Sequence, residues 1–190
     1  MRIPLLLLLL LATLLSGCSP GGGTVRRGRL TYNATEVFGA STPALALADA
    51  ASRGDVEEIG RLIASGVDAN TVGQHGITPL WWAGFAKNYE GFTALLSKGA
   101  NPNAQRSEGY PIMYMIAGMS DARFLEVALK HGGDANLRDS ESSQTPLFPA
   151  VERGLQRQVD LLLAAKANVN AQDPISGETI PMVAVGSRAD

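Results

Sequence analysis

Four stretches of the sequence end alike: LIASGVDAN (residues 62–70), LLSKGANPN (95–103), ALKHGGDAN (128–136) and LLAAKANVN (162–170). Each joins an apolar run to a turn-forming stretch and a final asparagine. The final asparagines, Asn70, Asn103, Asn136 and Asn170, are spaced 33, 33 and 34 residues apart. Recurrence at a fixed period of this length predicts an array of repeats, in which each unit packs on its neighbours.

The openings of the units predict a helix. They read GITPLWWA (76–83) and QTPLFPA (144–150), with weaker copies GYPIMYM (109–115) and GETIPMVA (177–184). Thr78 and Thr145 are suited to cap a helix, because their hydroxyls can accept from its free N–H groups. The proline that follows each threonine fits the first helical position, where a missing N–H costs little. Tyr110 replaces the threonine in the third unit.

A second helix is predicted in each unit by apolar residues at helical spacing. These are Ile59, Leu62 and Ile63, then Phe92, Leu95 and Leu96, then Val159, Leu162 and Leu163. Glycines mark the predicted ends of these helices. Gly54 and Gly154 lie between the two helices of a pair, and Gly66, Gly99 and Gly132 follow the second helix. Glycine there favours a left-handed end to the helix. In the second unit, Lys87 stands where a glycine is expected between the helices.

This pattern resembles the ankyrin repeat, whose units read T-P-L-H-x-A, a turn, a second helix and G-A-D-x-N. The resemblance covers residues 45–190 and implies an all-α solenoid of helix pairs. It implies four full repeats plus a partial fifth that begins at residue 174, the full ones being 45–73, 74–105, 106–140 and 141–173. Residues 30–44 are expected to cover the exposed end of the first repeat, because the terminal faces of a solenoid need shielding.

The amino terminus, MRIPLLLLLLLATLLSGCSP, predicts export from the cytoplasm. A positive start, an 11-residue apolar run and small residues are the layout of a signal peptide. Leu15-Ser16-Gly17-Cys18 closely resembles a bacterial lipobox, which implies cleavage before Cys18 and its acylation. We therefore expect a signal peptide over 1–17, a lipidated, flexible tether over 18–34, and the repeat domain over 35–190. The predicted location is the periplasmic side of the bacterial envelope, and Ser19 favours the outer over the inner membrane.

Composition and motifs argue against several classes of function. The chain has 16 Lys and Arg against 18 Asp and Glu, a net charge of −2, which gives no electrostatic footprint for nucleic acid. No nucleophile elbow or H-E-x-x-H zinc motif is present. The sequence therefore predicts a protein that is not an enzyme, has no catalytic or metal-ligating residues, needs no cofactor and takes no small-molecule substrate.

The ankyrin resemblance implies that a protein partner docks on the first helices and the loop tips. It maps Trp82, Tyr114, Pro149 and Val183 to the groove, although Trp82 and Tyr114 are equally compatible with core packing. Trp81, Met113 and Phe148 are expected to form an internal column. The methionine-rich segment IMYMIAGM (112–119) is expected to fill the core, although flexible thioethers also suit an adaptable contact surface. The candidate partner-binding residues are Trp82, Tyr114 and Phe85, with Arg106, Glu108, Asp139 and Glu141 in loop tips expected to be exposed.

Family precedent favours an immunity protein that neutralises a secreted antibacterial toxin such as a lipase. Ankyrin lipoproteins of this general kind occur as such inhibitors, and membrane tethering fits the task. The alternative is a periplasmic scaffold that supports an envelope or stress-response enzyme. The residues themselves do not separate these two hypotheses, and an enzyme with an undetected site is disfavoured by the missing nucleophile and ligands.

Overall fold

The structure, a computed structural model, describes residues 24–27 and 30–171 of the 190-residue chain. Cys18 and the predicted fifth unit lie outside these residues. The repeats are four helix pairs: α2 (Pro43–Arg53) with α3 (Val56–Ala64), α4 (Pro79–Ala86) with α5 (Tyr89–Ser97), α6 (Ile112–Ala117) with α7 (Ala122–Lys130), and α8 (Leu147–Glu152) with α9 (Gln156–Ala164). The predicted all-α solenoid with four full repeats is confirmed.

The helices form two layers. In the layer of first helices, α2 packs on α4 and α6 packs on α8, while the second helices α3, α5, α7 and α9 follow one another in the other layer. Gly91 lets α5 approach α2, because a Cβ atom at Gly91 would overlap the carbonyl group of Ala51. Most of the apolar positions predicted on the second helices are buried, but Leu163 is 38% exposed.

The amino-terminal segment differs from the expected flexible tether. Strand β1 (Thr24–Arg27) pairs antiparallel with β2 (Leu30–Asn33), within the segment predicted to be irregular. The sequences TVRR and LTYN contain β-branched and aromatic residues, which favour strands over a freely flexible chain. The glycines at 21–23, just before β1, favoured the interpretation of this segment as a flexible tether.

A short helix, α1 (Ala34–Phe38), covers the start of the array, as predicted for residues 30–44. The side chain of Asn33 caps it by accepting a hydrogen bond from the backbone N–H of Thr35 at 2.9 Å. Ala34, Val37 and Phe38 are buried, and the Phe38 ring lies edge-on to the Trp82 ring with 5.9 Å between centroids. Helix α1 therefore shields apolar surface of the first two repeats.

The first repeat begins earlier than residue 45, which corrects its predicted boundary. The hydroxyl of Thr42 accepts from the backbone N–H of Leu45 at 3.1 Å, and Pro43 occupies the first helical position. Helix α2 is consequently 11 residues long, against 8 for α4. The Thr-Pro start signal was present in the sequence, but it falls one turn before the register set by the other repeats.

The two threonine caps predicted for later repeats have different outcomes. Thr78 accepts from the backbone N–H of Trp81 at 3.4 Å, which is a long hydrogen bond. Thr145 does not cap α8: the helix begins at Leu147, with Pro146 in the capping position and no side-chain capping bond. The hydroxyl of Thr145 is buried, so the expected role in capping is wrong.

The repeating asparagines connect each repeat to the next. Asn103 donates from Nδ2 to the carbonyl of Gly132 at 2.9 Å and accepts at Oδ1 from the backbone N–H of Asp134 at 2.7 Å. Asn70 makes the same pair of bonds to Gly99 and Asn101, and Asn136 makes it to Lys166 and Asn168, with distances of 2.7–3.1 Å. The sequence predicted bonds to nearby backbone, whereas these bonds span about 30 residues. We call this set the asparagine ladder.

Lysine occupies two left-handed positions where other repeats have glycine. Lys87 ends α4 at φ +56°, and Lys166 follows α9 at φ +63°. The equivalent glycines, Gly54 and Gly132, have φ of +74° and +89°. A residue with a Cβ atom is strained in this region by roughly 1–2 kcal/mol. The second and fourth repeats therefore carry local backbone strain that the others avoid.

We predict that Asn103→Ala lowers the free energy of unfolding by about 1–2 kcal/mol, because it removes two inter-repeat hydrogen bonds. Urea unfolding followed by circular dichroism measures the change. Gln105→Ala, at an exposed position two residues away, is the matched control and should have little effect. Equal effects of the two substitutions would contradict the importance of the ladder.

We predict that Lys166→Gly raises the free energy of unfolding by about 0.5–1 kcal/mol, since the relief of left-handed strain exceeds the entropy that glycine loses. Lys98→Gly is the control, because Lys98 has a φ of −99° and glycine there brings only the entropic cost. The two variants should shift the urea midpoint in opposite directions. A shift of the same sign in both variants would show that strain at Lys166 is not being relieved.

Candidate protein-binding groove

A groove of about 660 Å³ crosses the ends of the first helices in the second, third and fourth repeats. Helix α6 contributes the centre of its wall, and the turns after α4, α6 and α8 contribute its edges. Its lining is aromatic, thioether and charged: Lys87, Tyr110, Tyr114, Met115, Gly118, Met119, Ser120, Asp121, Phe124, Pro149, Glu152, Arg153 and Leu155. The groove is the candidate functional site.

Aromatic rings lead from the core to the groove. The Trp81 ring is buried and contacts Phe85 and Tyr110, with centroid distances of 5.3 and 6.0 Å. Tyr110 in turn lies against Tyr114 at 5.1 Å, with the ring planes at 67°. Edge-on contacts of this kind are favourable for aromatic rings. The two tyrosines are thus held by a packed base while part of each ring remains accessible.

Tyr114 is half-buried and its hydroxyl donates a hydrogen bond to Oε1 of Gln144 at 2.6 Å. This bond links α6 to the loop that precedes α8. Burial raises the pKa of the Tyr114 phenol to about 12, and the negative charges of Glu152 and Asp139 act in the same direction. The phenol is therefore neutral at physiological pH, with its ring orientation fixed by the bond to Gln144.

Side chains of the fourth repeat fix the end of α6. Arg153 donates from Nη1 to the carbonyl of Gly118 at 2.7 Å, and Gln158 donates from Nε2 to the carbonyl of Met119 at 2.5 Å. Gln158 is buried, so its carboxamide needs such a partner. Both bonds join the third repeat to the fourth directly beneath the groove.

The charged groups at the groove differ in how far they are neutralised. Asp121 accepts from Arg123 at 2.7 Å, and this contact lowers the pKa of the carboxyl. Arg153 donates to a carbonyl group and forms no ion pair with any residue that the structure describes. Among the described residues, no ion pair involves Lys87 or Glu152. The edges of the groove are therefore available for charged contacts.

The structure places the predicted partner-binding residues at different depths. Tyr114 and Pro149 line the groove, as the resemblance implied, while Val183 lies outside the described residues. Trp82 is fully buried and packs on Phe38, so the core alternative is correct for this residue. The reason is α1, which covers the surface where Trp82 was expected to meet a partner.

The aromatic and methionine positions also divide between core and surface. Trp81 and Met113 are fully buried, as expected for an internal column, but Phe148 is only half-buried. Phe85 is half-buried against Trp81 and does not line the groove. Met115 and Met119 line the groove, so the contact-surface alternative for the methionine-rich segment holds for these two residues. Met115 and Met119 are four residues apart, a spacing that places two side chains on one face of a helix, and this is the signal that could have identified them.

The predicted loop residues are only partly exposed. Asp139 is buried, and its carboxylate accepts from the backbone N–H of Ser142 at 3.0 Å and from the Ser142 hydroxyl at 2.5 Å. Its expected exposure is wrong because it organises the loop internally. The Arg106 side chain is 10% exposed and pairs with Glu108 at 3.3 Å, whereas Glu108 and Glu141 are exposed. These four residues do not line the groove.

In residues 24–27 and 30–171, no cluster of three or more His, Cys, Asp or Glu side chains is arranged to hold a metal ion. The described helices include none that is long and apolar enough to cross a membrane. The geometry offers a surface for contact, made of aromatic rings, thioethers and charges.

Comparisons with known proteins agree with this fold. The family described as Ankyrin repeats (3 copies) matches residues 86–173. Protein PhlB of Serratia liquefaciens is 33% identical over 140 residues, which are 74% of this chain and 61% of that protein. The nuclear factor NF-kappa-B p105 subunit of Gallus gallus is 31% identical over 110 residues, or 57% of this chain and 11% of that protein. Cyclin-dependent kinase inhibitor 2A of Homo sapiens is 36% identical over 81 residues, or 42% of this chain and 51% of that protein.

The chain thus matches ankyrin repeats over residues 86–173, and its described helices form an ankyrin-repeat solenoid. It spans less than two thirds of the length of each of these three relatives. Ankyrin repeats indicate a module for protein–protein interaction, and proteins of this kind are typically binding modules without catalytic activity.

We predict that the stability of the protein falls more steeply between pH 10 and pH 12 in the wild type than in Tyr114→Phe. The phenol pKa is near 10 when unfolded and about 12 when folded, so the neutral form favours the folded state. This contribution is complete below pH 10 and is lost as the pH rises to 12. Urea midpoints measured at intervals of pH test it, and parallel profiles for the two proteins would contradict it.

We predict that Trp82→Ala destabilises the fold by about 3–5 kcal/mol, because it removes a fully buried ring. Tyr114→Ala should cost clearly less, since the ring is half-buried. Urea unfolding compares the two. If Trp82→Ala unfolded with an unchanged midpoint, the ring would not belong to the core.

Proposed function

We propose that this protein is a membrane-tethered binding protein that neutralises an enzyme attacking the bacterial envelope, such as a secreted lipase. The groove around Tyr114 carries this proposal. Its tyrosines, methionines and Arg153 are residue types enriched where proteins bind proteins tightly. The groove is also supported from below, so that a partner meets a surface already in its binding shape.

The kind of partner is proposed from the relatives and from the sequence. Cyclin-dependent kinase inhibitor 2A is, by its name, an inhibitor of an enzyme, which supports inhibition as a function for a chain of this kind. The lipobox at Cys18 supports a location at the membrane surface. Tethering would raise the effective concentration of an inhibitor near an enzyme that acts on lipids.

A scaffold for an envelope or stress-response enzyme is the second candidate. The nuclear factor NF-kappa-B p105 subunit is, by its name, part of an assembly, and a similar role here would use the same groove. The two candidates differ in consequence: an inhibitor protects cells from an incoming enzyme, whereas a scaffold maintains a resident one.

The proposed function predicts that Tyr114→Ala with Met119→Ala abolishes both capture of a secreted enzyme and protection in growth competition. Both side chains line the groove, and neither is fully buried. Val56→Ala, at an exposed position on α3, is the control. Circular dichroism confirms that each variant is folded. Capture of a resident enzyme alone, with no protection of cells, would replace the inhibitor by the scaffold.

The tether predicts that Cys18→Ala removes labelling by radioactive palmitate and shifts the protein out of the membrane fraction or leaves it unprocessed. The physical reason is that acylation of the sulfur and amino group provides the anchor, and alanine offers no thiol. Substitution of Ser19 leaves the thiol in place and serves as a control for labelling. A wild-type protein that takes up no label would refute lipidation.

A further inference from the structure

We infer that the groove binds a segment of the partner protein that is apolar in its middle and carries a carboxylate toward each end. This inference rests on the proposed function, since it names the partner chemistry of the same groove. It follows from how the apolar and charged groups are arranged along the lining.

The middle of the groove selects apolar side chains. Tyr114 and Met115 lie on α6, Tyr110 just before it and Met119 just after it, and all four are partly buried. Aromatic rings and flexible thioethers adapt to apolar side chains of several shapes. Accessible apolar surface of this kind gains free energy when a partner covers it.

Two cations stand on either side of this apolar surface. Lys87 lies in the turn after α4, in the second repeat, and Arg153 follows α8, in the fourth. Both line the groove. Packed helices lie ~8–10 Å apart, so two steps between first helices place these cations roughly 16–20 Å from each other. A segment of about 11–13 residues in a helix spans that distance.

Acidic groups at the groove leave these cations largely available. Asp121 is held by Arg123 at 2.7 Å, so it is neutralised by a residue outside the lining. Glu152 precedes Arg153 directly, and adjacent residues of a helix do not face each other. Arg153 itself is directed toward the carbonyl of Gly118, with no ion pair to a described residue. The lining therefore offers two cations, Lys87 and Arg153, and one anion without an ion pair, Glu152, and this balance of charge favours an acidic partner segment.

The test is a selection of displayed random 16-residue peptides on the full chain, followed by binding measurements on the enriched peptides. We expect the enriched sequences to have Asp or Glu on both sides of an apolar centre. Lys87→Gln should weaken their binding about fivefold, the size of an exposed charge pair. Arg153→Gln should weaken it at least as much, because this variant also loses the bond to the carbonyl of Gly118. Glu152→Gln is the matched control, because it removes a negative charge from the groove, and it should strengthen the binding of these peptides.

The outcomes separate this inference from the proposed function. Peptides that lose binding in Tyr114→Ala but are unaffected by the three charge variants would overturn the acidic segment and leave the groove intact. Enrichment of basic peptides that bind more weakly to Glu152→Gln would also overturn it. If no enriched peptide depended on Tyr114, with the variant folded by circular dichroism, both the inference and the proposed binding groove would fail.

Discussion

The carboxamides of Asn70, Asn103 and Asn136, one in each of the first three repeats, make the interaction on which the rest of the architecture depends. Each carboxamide donates to a carbonyl and accepts from an N–H two residues further on, in the turn of the next repeat. The backbone of the asparagine is also fixed: the backbone N–H of Asn103 donates to Oδ1 of Asn101 at 2.9 Å. Because one side chain engages both a donor and an acceptor, it fixes the position and the orientation of the following turn. A repeat period of 33 or 34 residues is the length that returns the chain to this contact.

Fixed spacing between repeats is what assembles a groove from residues distant in sequence. Lys87, Tyr114 and Arg153 belong to three different repeats, and none of them could define a binding surface alone. Direct bonds from Arg153 and Gln158 to the end of α6 add a second link between the third and fourth repeats. In a solenoid, each unit touches only its neighbours, so local links of this kind determine the shape of any surface that crosses several units.

The 33- and 34-residue period of the sequence predicted the fold, but it predicted only some of the residues that line the groove. The positions of the four helix pairs followed from the asparagines and the apolar spacing, since both reflect contacts that recur in every repeat. Trp82 could not be assigned from that pattern, because one of the side chains that packs on it, Phe38, comes from α1, which lies outside the repeats. Asp139 shows the same limit: a charged residue in a loop suggested exposure, but its carboxylate is used inside the loop itself. Met115 and Met119 were ambiguous, since thioethers serve cores and contact surfaces equally well.

The groove lies in the less regular half of the array. Helices α6 and α8 have six residues each and lack side-chain caps, whereas α2 and α4 are longer and begin with a threonine cap. Fewer turns and the lack of side-chain caps lower the local free energy of opening. A partner that binds only the ordered groove would therefore stabilise these repeats by mass action. The bonds from Arg153 and Gln158 fasten the fourth repeat to the end of α6 in addition to the packing of α8 on α6, which compensates for the short helices at this position.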